Sequence, residues 1–210
     1  MSDKIISLLD YGISNIKSLS NALNKIGVNH EIIQNLNNTE NSKVLIIPGV
    51  GSFPKAISIL KEKEIFSQIQ SYAKSKKPIL GICLGMQILF SKSYEFEETE
   101  GLNLIEGSVK KIPEENVKLP NIGWRKLLKK DKLNYFKINY KNNFYFVHSY
   151  YVDPKNIEVI KYFINYQEFQ IPAIVQYKNI YGFQFHPEKS GEEGLVLLKN
   201  FFKSILNTDK

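Results

Sequence analysis

The chain has 210 residues, of which 43% are hydrophobic and 23% charged, a composition typical of a globular protein with a sizeable core. Its single cysteine excludes an intramolecular disulfide framework and fits a reducing compartment. The N-terminal apolar stretch is too short for a signal peptide, and no run approaches the ~20 apolar residues that cross a bilayer. We therefore expect a cytoplasmic protein with no membrane partner.

The formal net charge of +7 raises the question of nucleic-acid binding. Of the 28 basic residues 27 are lysines, which are scattered along the chain, whereas base recognition usually relies on arginine. We find no helix-turn-helix, zinc-finger or ribonucleoprotein aromatic motif. We expect no nucleic-acid partner, and a basic docking face for a protein or a phosphorylated substrate explains the charge better.

The first half of the chain alternates short apolar runs with segments of helical periodicity. Strands are predicted at residues 5–9, 28–33, 43–47 and 78–82. Helices are predicted at residues 14–26, where Gly27 is a natural stop, and at residues 56–74. This alternation predicts an α/β fold with an open, mostly parallel sheet covered by helices on both faces.

The second half is rich in predicted strands. Between about residues 101 and 181, aromatic residues alternate with polar ones, and strands are predicted at residues 135–138, 144–147, 150–152, 159–164 and 173–177. This pattern suggests antiparallel hairpins added to the parallel core, followed by an amphipathic helix at residues 192–206. Repeats and low-complexity linkers are absent from the sequence, so we expect a single α/β domain over residues 1–210.

The only cysteine lies within Gly81-Ile-Cys-Leu-Gly85, where an apolar strand ends and helical character begins at residues 86–90. This is the layout of a nucleophile elbow, a sharp strand-to-helix turn that exposes a reactive side chain. Glycines two positions either side of Cys83 let neighbouring chain approach without a Cβ in the way. At a helix N-terminus Cys83 would favour the thiolate form. A lone cysteine is more often a buried hydrophobe, but the glycines favour a nucleophile.

A cysteine nucleophile needs a base, and the chain offers three histidines. His30 lies in an early strand without a polar constellation and is interpreted as structural or exposed. His148 and His186 both follow strand-like runs, and strand ends are where open α/β sheets place their sites. Glu188, two residues beyond His186, can orient its imidazole and stabilise the imidazolium. The sequence predicts a triad of Cys83, His186 and Glu188, with no metal and no cofactor.

An attacked carbonyl also needs N–H donors for the negative charge that develops on its oxygen. The amide of Leu84, just after the nucleophile, is one candidate. A second could come from Val50 or Gly51, in a loop whose glycines let the peptide plane turn. Without the elbow, the sequence Pro48-Gly-Val-Gly51 would fit an ordinary turn equally well.

Two of these motifs resemble the class I (Cys-His-Glu) glutamine amidotransferases: Gly-Ile-Cys-Leu-Gly-Met-Gln around Cys83 and Phe-His-Pro-Glu-Lys-Ser around His186. The resemblance implies a flavodoxin-like fold in which Cys83 attacks the side-chain amide of L-glutamine. It implies that His186 activates the cysteine while Glu188 orients the imidazole. Ammonia then leaves, and water resolves the γ-glutamyl thioester to glutamate.

The same resemblance implies a glutamine pocket formed by Gln87, Glu95, Ser149 and Tyr150. In this interpretation Glu95 meets the α-ammonium group of the substrate, and Ser149 and Tyr150 form the other wall. The acidic run that contains Glu95 also includes Glu97, Glu98 and Glu100. A run this acidic is usually a solvated surface, so the sequence alone leaves the choice of glutamate open.

Within this class, the chain is most similar to the glutaminase subunits of imidazole glycerol phosphate synthase, an enzyme of histidine biosynthesis. The similarity runs almost end to end and includes Asp10-Tyr-Gly-Ile-Ser-Asn15, Gly123-Trp124 and Tyr145-Phe-Val-His-Ser-Tyr150. It implies a heterodimer with a (β/α)₈-barrel cyclase subunit that makes imidazole glycerol phosphate and an aminoimidazole carboxamide ribonucleotide. The positions that resemble the family's interface residues are Asn15, Trp124, Tyr145 and Lys189.

Two departures from the family pattern fall on the presumed partner-facing side. Ser14 replaces the second glycine of the N-terminal motif, and Asn121-Ile-Gly-Trp-Arg125 stands where the family usually has His-Met-Gly-Trp-Asn. Both leave the triad intact and concern the partner more than the chemistry. The alternative is therefore a paralogous glutaminase that supplies ammonia for amidation of a surface-polysaccharide sugar.

Two other functional classes are open to a chain with these motifs. A cysteine peptidase or hydrolase with a related elbow needs the same triad, but it needs neither Gln87 nor the interface motifs. A non-catalytic binding protein that kept the fold would have no use for an intact Cys83, His186 and Glu188.

Overall fold

The computed structural model describes residues 6–114, 117–131, 135–137 and 143–206. In these ranges the helices are α1 (Ile16–Lys25), α2 (Phe53–Glu62), α3 (Ile65–Lys74), α4 (Leu84–Gln87) and α5 (Gly191–Leu206). The strands are β1 (Ile6–Leu9), β2 (His30–Ile33), β3 (Val44–Gly49), β4 (Ile79–Cys83), β5 (Phe90–Ser93), β6 (Thr99–Glu100), β7 (Ile105–Lys111), β8 (Asn121–Lys126), β9 (Leu128–Lys129), β10 (Asn143–His148), β11 (Tyr150–Pro154), β12 (Ile160–Tyr166), β13 (Phe169–Tyr177) and β14 (Ile180–Phe183). None of the helices described here is both long and apolar enough to cross a membrane.

An eight-stranded sheet in the order β2-β1-β3-β4-β14-β13-β12-β9 supports the site. The strands from β2 to β14 in this order are parallel, and β13, β12 and β9 then pair antiparallel one after another. The five parallel strands follow the flavodoxin-like order. The prediction of a mostly parallel sheet with antiparallel additions is confirmed. Its carboxyl edge, where such sheets place their sites, holds the ends of β3, β4 and β14.

Two smaller sheets accompany the large one. β10 pairs antiparallel with β8, in a register that sets Tyr145 opposite Trp124 and His148 opposite Asn121. The other sheet has the order β11-β7-β5-β6. Only Ser149 separates the end of β10 from the start of β11, so one short segment connects the two smaller sheets.

The sheet is buried on both faces, which explains the unbroken apolar runs of its central strands. Val44 and Ile46 of β3 pack with residues of α1 and α5, whereas Leu45 and Ile47 pack with residues of α2 and α3. All four side chains are fully buried. Burial of each such side chain contributes about 1.5–3 kcal/mol to stability, which makes β3 a rigid support for the loop that follows it.

Three predicted elements were wrong in type or extent. The helix predicted at residues 56–74 is two helices, α2 and α3, because Glu64 between them adopts a left-handed backbone (φ 58°). Helical character predicted up to residue 90 stops at Gln87, since Phe90 begins β5. Tyr135–Lys137 form a short 3₁₀ turn instead of a strand. Residues 5 and 138, at the ends of two predicted strands, lie outside the described residues.

Candidate active site

Cys83 ends β4 and immediately precedes α4. Its backbone has φ 56° and ψ −114°, a conformation that residues other than glycine rarely adopt. A Cβ on Gly81 would lie 2.7 Å from the Cα of Met86, and a Cβ on Gly85 would collide with the carbonyl of Ile47. The flanking glycines therefore allow the close approach that the sequence predicts. The elbow is present, although the helix behind it has only four residues.

His186 and Glu188 follow β14, the strand that pairs with β4 in parallel. The Nδ1 atom of His186 lies 2.8 Å from Oε1 of Glu188, and both side chains are buried. Because a carboxylate only accepts hydrogen bonds, this contact keeps a ring proton on Nδ1. Within the described part of the chain, Nε2 of His186 has no hydrogen-bond partner. Nε2 is therefore the atom available to exchange a proton with a nucleophile.

The charge state of His186 depends on both of its neighbours. Burial by itself lowers the pKa of His186, but the negative charge of the nearby Cys83 thiolate, together with the hydrogen bond to Glu188 and the charge of its carboxylate, outweighs burial and raises the pKa to about 10. The imidazolium form is thus stabilised at neutral pH. This couples His186 electrostatically to Cys83 as well as to Glu188.

Cys83 opens into a cavity of about 430 Å³ at the carboxyl edge of the sheet. The residues predicted for the oxyanion site and the glutamine pocket line it together with Cys83 and His186: Val50, Gly51, Leu84, Gln87, Glu95, Ser149 and Tyr150. A larger cavity of about 710 Å³ lies near the amino ends of β3, β4 and β14. Its described lining contains no cysteine, histidine or carboxylate, so the smaller cavity is the candidate active site.

Glu95 is the glutamate of the acidic run that faces the cavity. It is buried, whereas Glu97, Glu98 and Glu100 are exposed. Its Oε2 accepts a 2.7 Å hydrogen bond from the backbone amide of Phe53, the first residue of α2. Burial raises the pKa of Glu95, although this hydrogen bond opposes the shift. Glu95 forms no ion pair among the residues that the structure describes, and a buried, oriented carboxylate of this kind is suited to bind an ammonium group.

Gln87 connects the pocket wall to the nucleophile. Its Nε2 donates to the carbonyl of Tyr150 (3.0 Å) and to Oε1 of Gln184 (3.1 Å). Nε2 of Gln184 in turn lies 3.8 Å from Sγ of Cys83. Gln184 is fully buried, and sequence reasoning did not assign it a role. Its position two residues before His186, just after β14, is the only signal that the sequence offers for it.

The predicted oxyanion donors are only partly arranged for that role. The amide of Val50 donates a 3.0 Å hydrogen bond to the carbonyl of Ile13, so this N–H is used within the protein. Gly51 has φ 102°, which favours glycine and permits the loop to change its peptide orientation. Leu84 begins α4 directly after Cys83. The pairing of Leu84 with Val50 or Gly51 stays a prediction.

Trp124 and Tyr145 face each other across β8 and β10. Their ring centroids are 5.9 Å apart in an edge-to-face arrangement. Trp124 is 51% exposed, and Ile122 on the same face of β8 is 54% exposed. The single tryptophan is therefore a surface residue and not a core residue. The side chains of Ile122 and Trp124 form an exposed apolar surface beside the active site.

The two other predicted interface residues, Asn15 and Lys189, lie at the ends of short elements beside the loops of the cavity. Lys189 is exposed and belongs to the His186 segment, which is hydrogen-bonded to β10 through the backbone of Tyr145. Asn15 precedes α1, two residues after the Ile13 carbonyl that binds the Val50 amide. Both positions thus adjoin loops that contribute to the cavity.

The arrangement matches a known family. The family model for Glutamine amidotransferase class-I covers residues 7–205. The chain belongs to the class I glutamine amidotransferases. It is 42% identical over 207 residues to the imidazole glycerol phosphate synthase subunit HisH of Bacillus anthracis (strain CDC 684 / NRRL 3495) and to that of Bacillus cereus (strain AH187). In both cases the match spans 98% of this chain and 97% of the relative.

Solved amidotransferase structures share the fold at low sequence identity. A structure described as a glutamine amidotransferase superposes with a TM-score of 0.73 at 16% identity, over 96% of this chain and 98% of the other. The PurLQS structure from Thermotoga maritima gives 0.73 at 17% identity, over 97% and 99%. These likenesses show the amidotransferase fold and leave the substrate to be argued from the site.

Proposed function

We propose that this chain is the glutaminase subunit of imidazole glycerol phosphate synthase and supplies ammonia to a (β/α)₈-barrel cyclase subunit in histidine biosynthesis. One observation carries the proposal: Cys83 shares a single cavity with His186, the Glu95 carboxylate and the Gln87–Tyr150 wall. The identity of 42% to HisH over nearly the whole chain supports the same function.

In the proposed reaction, Nε2 of His186 takes the proton of Cys83, and Glu188 stabilises the resulting imidazolium. The thiolate attacks the side-chain amide carbon of glutamine, and backbone N–H groups stabilise the oxyanion. His186 returns its proton to the leaving nitrogen, so ammonia departs and a γ-glutamyl thioester remains. A water that gives its proton to His186 then attacks the thioester, which releases glutamate and restores the thiol.

We infer that Glu95 binds the α-ammonium group of glutamine. Its carboxylate is held at the cavity wall by the Phe53 amide, and a charge buried in this way favours a cationic ligand over water. Gln87, Ser149 and Tyr150 form the remaining wall. The reaction needs no cofactor, since each proton transfer involves a side chain of the pocket.

The cyclase is proposed to dock on the exposed surface of Ile122, Trp124 and Tyr145, with Asn15 and Lys189 at its edge. Exposed aromatic anchors of this kind are enriched in interface hot spots. Ammonia released into water at neutral pH would be protonated, so transfer to a docked partner preserves the nucleophile. Docking near Asn15 would also act on Ile13 and release the Val50 amide toward the substrate oxygen.

The alternative partner, an enzyme that amidates a surface-polysaccharide sugar, is not favoured. The compared relatives at 42% identity are named as HisH subunits. We also infer a cytoplasmic location, because the single cysteine fits a reducing compartment.

Glutamate release from glutamine tests the proposal. The chain is assayed alone and with the histidine-pathway cyclase and its ligand, and we expect the rate to rise in the complex. Cys83→Ala should lower kcat by at least about 10³-fold, because the nucleophile is lost. Partner affinity should stay unchanged in Cys83→Ala, which serves as the control for folding. Wild-type turnover in this variant would refute the mechanism, and stimulation only by a sugar-amidating enzyme would support the alternative.

A further inference from the structure

A chain of polar side chains leads from β8 to the catalytic cavity. Nε of Arg125 donates to Oδ1 of Asn121 (3.1 Å), and Nδ2 of Asn121 lies 3.0 Å from Nε2 of His148. Nδ1 of His148 lies 2.9 Å from the carbonyl oxygen of Tyr150. Asn121 and His148 are buried, and His148 lines the same cavity as Cys83. The proposed reaction uses none of Arg125, Asn121 and His148.

The two ends of this hydrogen-bond network, Arg125 and the Tyr150 carbonyl, determine the direction of every hydrogen bond in it. A guanidinium only donates, so the Asn121 carboxamide must present its oxygen to Arg125 and its NH₂ group to His148. Nε2 of His148 must then accept, which leaves the ring proton on Nδ1. The backbone carbonyl of Tyr150 only accepts and therefore fits that proton. All groups are satisfied when His148 is the neutral Nδ1–H tautomer.

A protonated His148 would break this arrangement. It would direct an N–H group from Nε2 at the NH₂ group of Asn121, and rotation of the carboxamide would only move the conflict to Arg125. The charges around the ring act in the same sense. Burial, together with the smaller effect of the positive charges of His186 and Arg125, lowers the pKa of His148 to about 4, although the hydrogen bond to the Tyr150 carbonyl opposes the shift.

The proton of His148 also affects the glutamine pocket. The Tyr150 carbonyl accepts hydrogen bonds from Nδ1 of His148 and from Nε2 of Gln87. Gln87 continues through Gln184 to Sγ of Cys83. The position of the Tyr150 wall therefore depends on a donor at Nδ1 of His148.

Arg125 lies where β8 meets this network. Its guanidinium carbon is 5.1 Å from the centre of the Tyr166 ring, and one terminal nitrogen donates to the Trp124 carbonyl at 3.4 Å. Among the described residues, no carboxylate forms an ion pair with it. The chain departs from the family motif at positions 121, 122 and 125, and the first and last of these contact each other. Arg125 thus acts as a directional donor.

We propose that Arg125 is a positioning residue that, through Asn121, holds His148 as the neutral Nδ1–H tautomer and so fixes the Tyr150 wall of the pocket. The effect on substrate rests on the proposed function, in which this wall contacts glutamine. The tautomer itself does not rest on that function and can be measured without any substrate.

Nitrogen-15 NMR of the imidazole rings tests the proposal directly. The chain has three histidines, and comparison with a His148→Gln variant identifies the signals of His148. We expect the wild-type ring to be neutral at about pH 7 and protonated on Nδ1. Asn121→Asp keeps the shape of the side chain but replaces the NH₂ donor by a carboxylate oxygen. In that variant Nε2 of His148 should carry a proton.

Arg125→Met removes the donor, so the Asn121 carboxamide can rotate and both tautomers of His148 should be populated. Lys126→Met is the matched control, because it removes the same charge from an exposed position of β8 outside the network. In the cyclase complex we expect Arg125→Met and Asn121→Asp to raise the KM for glutamine about tenfold, with a smaller change in kcat.

Four results would overturn the proposal: an Nε2–H or charged His148 in the wild type, an unchanged tautomer in Asn121→Asp, an unchanged tautomer in folded Arg125→Met, or the same shift in Lys126→Met as in Arg125→Met. The wild-type and Asn121→Asp spectra decide the tautomer of His148 and its dependence on Asn121 even if Arg125→Met does not fold. A chain without glutaminase activity but with the expected spectra would refute the proposed function and leave the tautomer assignment intact.

Discussion

The backbone of Cys83 shows how a reactive side chain is positioned at the cost of local strain. A non-glycine residue in a sparsely populated conformation costs of the order of 1–3 kcal/mol. Packing of α4 against β3 and β4 offsets this cost, because Gly85 lies in contact with the Ile47 carbonyl. The strained backbone directs the thiol into the cavity that His186 also lines, within 3.8 Å of the buried Nε2 of Gln184.

Glu188→Gln is expected to change the pH dependence of the reaction. Glu188 raises the pKa of His186, so its loss lowers that pKa, and the imidazolium partner of the thiolate is lost at lower pH. The alkaline limb of kcat/KM should therefore move to lower pH, and kcat should fall by about 10²–10⁴-fold. The measurement is a pH profile of glutamate release in the cyclase complex.

Glu192→Gln is the control for this change. It removes the same charge from an exposed position at the start of α5. Its pH profile should match the wild type. An alkaline limb that does not move in Glu188→Gln would show that Glu188 has no influence on the His186 proton.

At the level of single residues, the sequence predicts side chains that carry a local signal. Cys83 has its flanking glycines, and Glu188 follows His186 at the end of a strand. Glu95 is preferred over its acidic neighbours only through the family resemblance, and the structure separates it from them by burial, so its role as a glutamine ligand stays a prediction. Asn121 and Gln184 could not be found in this way, because a buried amide has no pattern of its own and gains its role from contacts distant in sequence.

Among the elements, β3, β4 and β14 bring the site together. Parallel pairing sets Gly49 opposite Cys83 and Phe183 opposite Ile82. The loop after β3, the elbow after β4 and the His186 segment after β14 therefore meet at one edge. This arrangement follows from strand order, which determines neighbours that no single element specifies.

Gly85→Ala is expected to destabilise this junction severely. Its Cβ would lie 2.8 Å from the Ile47 carbonyl carbon and collide with the attached oxygen, so α4 must move away from β3. We expect the free energy of unfolding to fall by about 3 kcal/mol or more in urea titrations.

Gly27→Ala is the comparison for this substitution. Gly27 has free space around its Cβ position but a φ of 72°, so alanine there should cost only about 1 kcal/mol. An equal loss of unfolding free energy in the two variants would mean that the close packing of α4 against β3 does not contribute to stability beyond the backbone effect of the glycine.

Element types followed from periodicity in most of the chain, and the exceptions have identifiable causes. Helical spacing continues on both sides of Glu64, so the pattern hides the left-handed residue that separates α2 from α3. The segment after Gln87 is apolar in a way that suits helix and strand alike, and pairing with β7 makes Phe90 the start of a strand. Tertiary contacts decide such cases.

On the scale of the whole molecule, the apolar surface of Ile122 and Trp124 is the proposed site of assembly. Trp124→Ala should weaken binding of the cyclase by at least about 30-fold, measured by calorimetry, because a central aromatic anchor is removed. The free energy of unfolding should change by less than about 0.5 kcal/mol, since the side chain is half exposed.

Ile157→Ala is the control. It removes an apolar side chain that is 63% exposed, compared with 51% for Trp124, from a different surface. Its affinity for the cyclase should equal that of the wild type. Weaker binding in Ile157→Ala together with unchanged binding in Trp124→Ala would move the docking surface away from β8.

The fold and the catalytic chemistry of the molecule could be predicted because they depend on periodicity and on short motifs. The extent of a single domain over residues 1–210 stays a prediction. The partner could also be inferred from the family motifs, even though residues 121 and 125 depart from them at the proposed docking strand. Sequence pattern alone does not reveal that these two residues contact each other.

The position of β14 beside β4 determines when the active site can form during synthesis of the chain. Cys83 and His186 are separated by roughly a hundred residues, yet their strands are immediate neighbours. Ribosomes make the N-terminal part first, so Cys83 emerges long before the histidine that activates it. The thiol is therefore activated only when the C-terminal part of the chain has folded, and we expect an unfinished chain to hydrolyse no glutamine.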